Sequence, residues 1–107
     1  MRALSPRWAH SLIMAGLLTL AASAQADLAL ADKSTCLNCH AMEKKLVGPS
    51  FTAIATKYRG QQDAAVLLSS KVEKGEQGVW GPVPMPAMAY LPKDDVQAIV
   101  NWIVKLP

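Results

Sequence analysis

Apolar residues along this chain recur at helical steps, and nowhere do they alternate as a half-buried strand would. Residues 28–41 show no strand alternation. In Ser50–Tyr58, Phe51, Ile54 and Tyr58 fall at three- and four-residue steps. Asp63–Lys74 repeats the pattern through Val66, Leu67 and Val72, and Gly75 is placed to end the helix. Phe51, Ile54 and Leu67 are expected in the core. The last helix is predicted over Pro92–Leu106, with Pro92 at its first position and Asp94 and Asp95 in its first turn, where the helix dipole favours acids. Its apolar stripe is Val96, Ile99, Val100 and Ile103, with Trp102 beside it as a packing residue. Gly75–Pro92 carries three glycines and four prolines, so it reads as a loop. A loop of that length in a small domain usually has a functional task. The chain contains no repeats, low-complexity tracts or linkers, and the pattern predicts an all-α fold.

The first 26 residues have a different character. Arg2 and Arg7 give a positive start, residues 11–20 are mostly apolar, and Ala24-Gln25-Ala26 has the small-x-small form of a cleavage site. That is the layout of a secretory signal peptide. The competing reading is a membrane anchor, but the apolar run is short against the roughly 20 residues a span needs. The mature domain is expected to cover residues 27–107, exported and soluble. The formal charge of +3 includes both leader arginines, so the mature part keeps nine basic against eight acidic residues. Arg59 is its only arginine, and no basic stripe interleaves with aromatics, so nothing points to nucleic acid. A domain this small has a marginal core. Exported domains of this size often add disulfides, yet only two cysteines are present.

Both cysteines lie in Cys36-Leu37-Asn38-Cys39-His40. A Cys-x-x-Cys-His run is the attachment site of a c-type haem. Each thiol adds across one vinyl group, and a three-residue step on a helical turn puts both sulfurs on one side. The next histidine then offers its imidazole to the iron. A bound macrocycle would also supply the missing core, and its two propionates would bring the holoprotein near neutral or slightly acidic. Two other classes compete. A thiol–disulfide oxidoreductase using Cys36 and Cys39 would want a β-sheet scaffold, which the pattern does not offer. A zinc or copper module built on Cys36, Cys39 and His40 would lack a fourth protein ligand. A haem peroxidase would need an open iron face and a distal acid–base group.

His10 belongs to the leader, so His40 is the only histidine of the mature chain, and an internal bis-histidine site is excluded. Three methionines remain there: Met42, Met85 and Met88. Met42 is too close to His40 to reach the opposite face of a haem. Met85 and Met88 both lie in the long loop and both stay open as sulfur ligands. Pro82, Pro84 and Pro86 stiffen the segment around Met85.

Four anchors in order resemble a class I cytochrome c of the small single-haem bacterial kind, in the group serving denitrifying respiratory chains. They are Cys36–His40, Val47-Gly48-Pro49-Ser50-Phe51, Gly78-Val79-Trp80-Gly81-Pro82-Val83-Pro84-Met85-Pro86, and the closing helix with Trp102. Together they span the mature chain. The resemblance implies about four helices wrapped around one haem c held through Cys36 and Cys39, with His40 and Met85 as iron ligands. It implies that the Pro49 carbonyl accepts the second ring N–H of His40, and that Lys71 is a cation near a propionate. Trp80 has two roles open to it, a donor to a propionate or a core aromatic. Two positions depart from the family pattern. Ala31 stands where an aromatic is usual, with Leu30 or Leu28 as candidates to fill the space, and Thr35 stands where glycine is common. The stretch 87–91 is about one residue longer than its counterparts.

The function implied is periplasmic electron transfer rather than enzymatic turnover. Imidazole and thioether together close both iron faces, and soft sulfur and burial favour the ferrous state. Residues such as Met42, Val47 and Ala87 are expected to form an apolar patch at the haem edge, ringed by lysines, for short-lived docking. The partners implied are redox proteins: a quinol-oxidising complex, a nitrite reductase, a terminal oxidase or a peroxidase, met by a monomeric shuttle. The leader gives a direct test. Intact-mass analysis of the periplasmic form should show a chain starting at Asp27, and retention of the apolar segment would make the protein membrane-anchored instead.

Overall fold

A computed structural model describes residue 25 and residues 27–107. Gln25 aside, the leader read over residues 1–26 lies outside the described residues. Helix α1 covers residues 27–33 and leads into a single 3₁₀ turn at Cys36–Asn38. Helices α2 (Phe51–Tyr58), α3 (Ala64–Lys74) and α4 (Lys93–Val104) follow. No strand occurs among the described residues, only two isolated bridges, His40 to Lys45 and Glu76 to Met85. The fold is all-α, as the periodicity predicts. None of the described helices is long and apolar enough to cross a membrane.

Local chemistry sets the helix ends. The Ser50 hydroxyl accepts from the Ala53 N–H at 3.1 Å and caps α2. Two further amides at the start of α2 are satisfied from outside the helix. Phe51 N–H donates to Ala41 O at 2.9 Å and Thr52 N–H to Met42 O at 3.1 Å. These bonds dock the start of α2 on the residues just after the cysteine motif. Helix α3 stops at Gly75, whose φ of 81° an L side chain rarely adopts. Pro92 sits at the N-cap of α4 rather than at its first helical position, one residue outside the expected start, and Asp94 and Asp95 occupy the first turn.

Helix α4 packs against both α2 and α3. Its whole predicted stripe, Val96, Ile99, Val100 and Ile103, is buried. Val96 and Val100 join Tyr58, Ala64 and Leu68 in one cluster. Ile99 and Ile103 join Ala31 and Phe51 in another. Ile54 packs against both. Full burial of a side chain such as Phe51 or Val100 contributes roughly 1.5–3 kcal/mol relative to exposure.

The structure corrects the expected face of α3. Val66 is 72% exposed and Leu67 36%, whereas Ala64 and Leu68 are buried and Val72 packs beside them. Positions 64, 68 and 72 form one i, i+4 row, and that row meets α4. Five consecutive apolar residues, 64–68, cover every side of the helix, so the pattern alone could not select this row. At the other end of the chain, Ala31 is fully buried, and Leu30, not Leu28, covers its cluster.

Thr35 has φ 66° and ψ 8°, the left-handed conformation, and it is the only described non-glycine residue with positive φ. This explains why glycine suits the position. A β-branched residue there costs about 1–2 kcal/mol. Thr35→Gly should therefore stabilise the protein by about 0.5–1 kcal/mol after the extra chain entropy of glycine is subtracted. The midpoint of urea unfolding would rise, and a fall would show that the Thr35 side chain makes a compensating contact.

Candidate functional site

The cysteine motif is wound tightly. Cys39 N–H and His40 N–H both donate to Cys36 O, at 3.2 and 3.0 Å. In a 3₁₀ turn, residues three apart eclipse one another, so Cys36 and Cys39 present their sulfurs on the same side. Both thiols are free and half-buried. Burial pushes the Cys36 thiol up from the ordinary thiol range, a backbone hydrogen bond partly offsets this, and neighbouring Cys39 adds to the rise. Reactive thiol–disulfide centres have the opposite property, a lowered pKa.

His40 is held from several directions. Its Nδ1 lies 2.7 Å from Pro49 O. A carbonyl can only accept, so Nδ1 carries the proton and Nε2 keeps the lone pair that a metal needs. Gly48 packs on the ring so closely that an added Cβ would sit 2.6 Å from Cε1. Gly48 N–H in turn donates to Cys39 O at 2.8 Å. Phe51 stacks beside the imidazole at 5.5 Å between centroids, and Trp102 meets the Phe51 ring edge-on at 5.4 Å. Trp102 is thus a packing residue, as expected.

The loop between α3 and α4 is anchored by backbone bonds. Glu76 N–H donates to Met85 O at 3.1 Å, and Met85 N–H donates to Glu76 O at 2.8 Å. Met88 N–H donates to Val72 O at 2.9 Å. Met85 and Met88 both line the same cavity as Cys36, Cys39 and His40. Its volume is about 730 Å³, within the range of small-molecule and cofactor sites. Ile54, Leu68, Val72, Val96, Ile99 and Ile103 give it apolar walls.

All seven residues singled out in the sequence border this cavity: Cys36, Cys39, His40, Pro49, Lys71, Trp80 and Met85. Lys71 forms an ion pair with Glu76, which holds the lysine above its ordinary range. Trp80 packs against the α3–α4 cluster and has the Lys57 ammonium 5.4 Å from its ring centre, a cation–π contact. Met42 does not join an exposed patch. It packs inward, half-buried, against the cluster of Ala31 and Phe51, because the bonds from Phe51 and Thr52 pull residues 41–42 onto α2. Sequence reasoning missed Gly48 and Glu76. The adjacent Val47-Gly48-Pro49 was a signal for the first, and nothing local pointed to the second.

The donors fit a c-type haem: paired thiols on one turn, an imidazole with a committed tautomer, and thioether sulfurs from a distant loop around an apolar cavity. No three His, Cys, Asp or Glu side chains converge as a metal-binding group among the described residues. A family model described as "Cytochrome c" matches residues 28–107. The chain belongs to the cytochrome c family. It is 48% identical over 89 residues to cytochrome c-551 of Allochromatium vinosum, covering 83% of this chain and 95% of that one. It is 44% identical over 92 residues to cytochrome c-552 of Nitrosomonas europaea, covering 86% and 89%. The crystal structure of wild-type Nitrosomonas europaea cytochrome c552 superposes with a TM-score of 0.73 at 41% identity, over 75% of this chain and 99% of that chain. The protein is a small class I bacterial cytochrome with haem c as its cofactor, and its cysteine pair serves haem attachment rather than thiol redox chemistry.

The contact between Gly48 and the imidazole generates a test. Gly48→Ala should force the His40 ring to shift, at an overpacking cost of about 1–3 kcal/mol. The paramagnetically shifted His40 resonances of the ferric protein should move. Unchanged resonances would show that the backbone at Gly48 yields instead.

Proposed function

We propose that this cytochrome carries single electrons between redox proteins of the periplasm, with His40 Nε2 and the Met85 sulfur as the two axial ligands of its haem. The observation that carries the proposal is the meeting of two unlike donors, from segments far apart in sequence, on one apolar cavity. When bound, the haem supplies an iron centre that gains and loses one electron. The residues of the chain do the rest. Cys36 and Cys39 tether the group through thioethers. The Pro49 carbonyl orients His40 and fixes its tautomer. Soft sulfur and burial favour the ferrous state. With His40 and Met85 both holding the iron, no position would remain for a substrate, and the protein would act as a carrier.

Lys71 and Trp80 border the cavity and are the proposed propionate partners. For docking, Val47 and Ala87 are exposed at the cavity as the sequence predicts, and Met42 alone turns inward. Leu46, Val47 and Val83 are exposed apolar residues, and Leu46 and Val47 follow exposed Lys44 and Lys45. A small apolar patch edged by lysines suits brief encounters with a quinol-oxidising complex, a nitrite reductase, a terminal oxidase or a peroxidase. Cleavage after Ala26 would release the domain 27–107 as a soluble periplasmic monomer.

Met88 remains the rival ligand because it borders the same cavity. Ferric iron bound by methionine sulfur has a weak charge-transfer band near the red end of the visible spectrum. Met85→Ala should abolish that band, lower the reduction potential and admit cyanide. Met88→Ala should keep the band and cost only packing, since its amide bond to Val72 survives the substitution. Loss of the band in the Met88 variant alone would reverse the assignment.

A further inference from the structure

The ion pair between Lys71 and Glu76 lies where helix α3 hands over to the methionine loop. It is the only salt bridge among the described residues. Both side chains are largely withdrawn from water, at 22% and 14% exposure. Glu76 is the chief cause that holds the Lys71 ammonium in its charged form. Lys71 belongs to the last turn of α3, and Glu76 follows Gly75, the residue at which the helix stops.

Glu76 has a second engagement. Its amide and carbonyl make both bonds of the bridge to Met85. One residue therefore couples a side-chain contact on α3 to the backbone of the proposed iron ligand. Two neighbouring contacts tighten the same junction. Gly75 passes so close that an added Cβ would lie 2.8 Å from Met85 O and 3.0 Å from Ala87 N. Met88 N–H donates to Val72 O. Of these holds on residues 85–88, only the ion pair uses side chains, so it alone can be removed without altering the backbone.

We infer that the Lys71–Glu76 ion pair is a latch that keeps Met85 seated on the iron, which makes Lys71 and Glu76 positioning residues for the axial ligand. The inference rests on Met85 being that ligand. Beyond Gly75 no helical bond restrains residue 76, and freedom there passes directly to Met85 through the two bridge bonds. The ion pair removes that freedom by tying Glu76 to a rigid helix. A lysine ammonium has three donors, so serving Glu76 leaves Lys71 able to donate to a propionate as well.

An external ligand reaches the ferric iron only in the fraction of molecules whose Met85 is off, so its apparent affinity reports that fraction. Imidazole titration of the ferric holoprotein is the measurement, applied to wild type, Glu76→Gln, Lys71→Met and the double variant. Each single change should raise the apparent imidazole affinity about five-fold, the scale of one modest ion pair. The red charge-transfer band should persist in all of them before imidazole is added. The double variant should rise no further, because both changes remove the same contact. Arg59→Ala, which breaks a bond to Leu106 O near the end of α4, should leave the affinity unmoved. An unmoved affinity in Glu76→Gln, multiplying effects in the double variant, or an equal rise in Arg59→Ala would each overturn the latch. Absence of the band in wild type would overturn the methionine reading and the latch with it, whereas an intact band with unmoved affinity removes the latch alone.

Discussion

Helix α4 imposes the constraint on which the rest of the structure depends. Its single apolar stripe serves two clusters, with Val96 and Val100 facing α3 and Ile99 and Ile103 facing α1 and α2. All four residues also border the cavity. The helices therefore do not complete one core among themselves; they frame a space that an apolar macrocycle fills. In a domain this small, helix packing alone leaves little margin. Filling the space with a covalently tethered haem joins folding to cofactor binding, since whatever binds only the folded state stabilises it.

The two sides of the site are held by different means. On the histidine side the shortest restraints close within one turn and none spans more than eleven residues. Residues 36–40 bond among themselves, residues 39–42 bond to residues 48–52, and His40 is fixed by Pro49, Gly48 and Phe51 together. On the methionine side the restraints join residues nine to sixteen positions apart, Glu76 with Met85 and Val72 with Met88. Local restraints sacrifice little chain entropy, while longer closures sacrifice more and open more readily. The histidine side is thus the more firmly built, and the position of the proposed methionine ligand depends on how well one loop is pinned. Three prolines in residues 82–86 reduce the entropy lost on pinning it, and the contacts at residues 71–76 set its position.

The same division explains which features the sequence made legible. The cysteine motif, the Gly75 stop and the α4 stripe are local patterns with one geometric solution each, and each was readable. The face of α3 was not, because Ala64-Ala65-Val66-Leu67-Leu68 is apolar all round, and only contact with α4 and Tyr58 selects Ala64 and Leu68 over Val66 and Leu67. Met42 was misplaced for a related reason. Its position depends on backbone bonds from α2, which no side-chain pattern records. Thr35 hides its left-handed backbone behind a residue type that seldom adopts it. The bridge between Glu76 and Met85 is an isolated pairing inside a loop, without the alternation that would announce a strand.

Thr35 and Ala31 bear on one another. A fully buried alanine lets α1 approach Phe51, Ile99 and Ile103 closely, and Leu30 covers the flank. The chain must then turn from this close-set helix into the cysteine turn within two residues, 34 and 35. A left-handed residue makes that reversal in one step. Ser34 N–H reaches back to Leu30 O at 2.9 Å, and Asn38 N–H bonds Thr35 O at 3.1 Å, so both ends of the turn are committed. The strain at Thr35 is therefore over-determined by its surroundings and does not relax by local rearrangement. It persists where the chain is soon tied to a cofactor through Cys36, and a folded state stabilised by that tether can carry a local cost of this size.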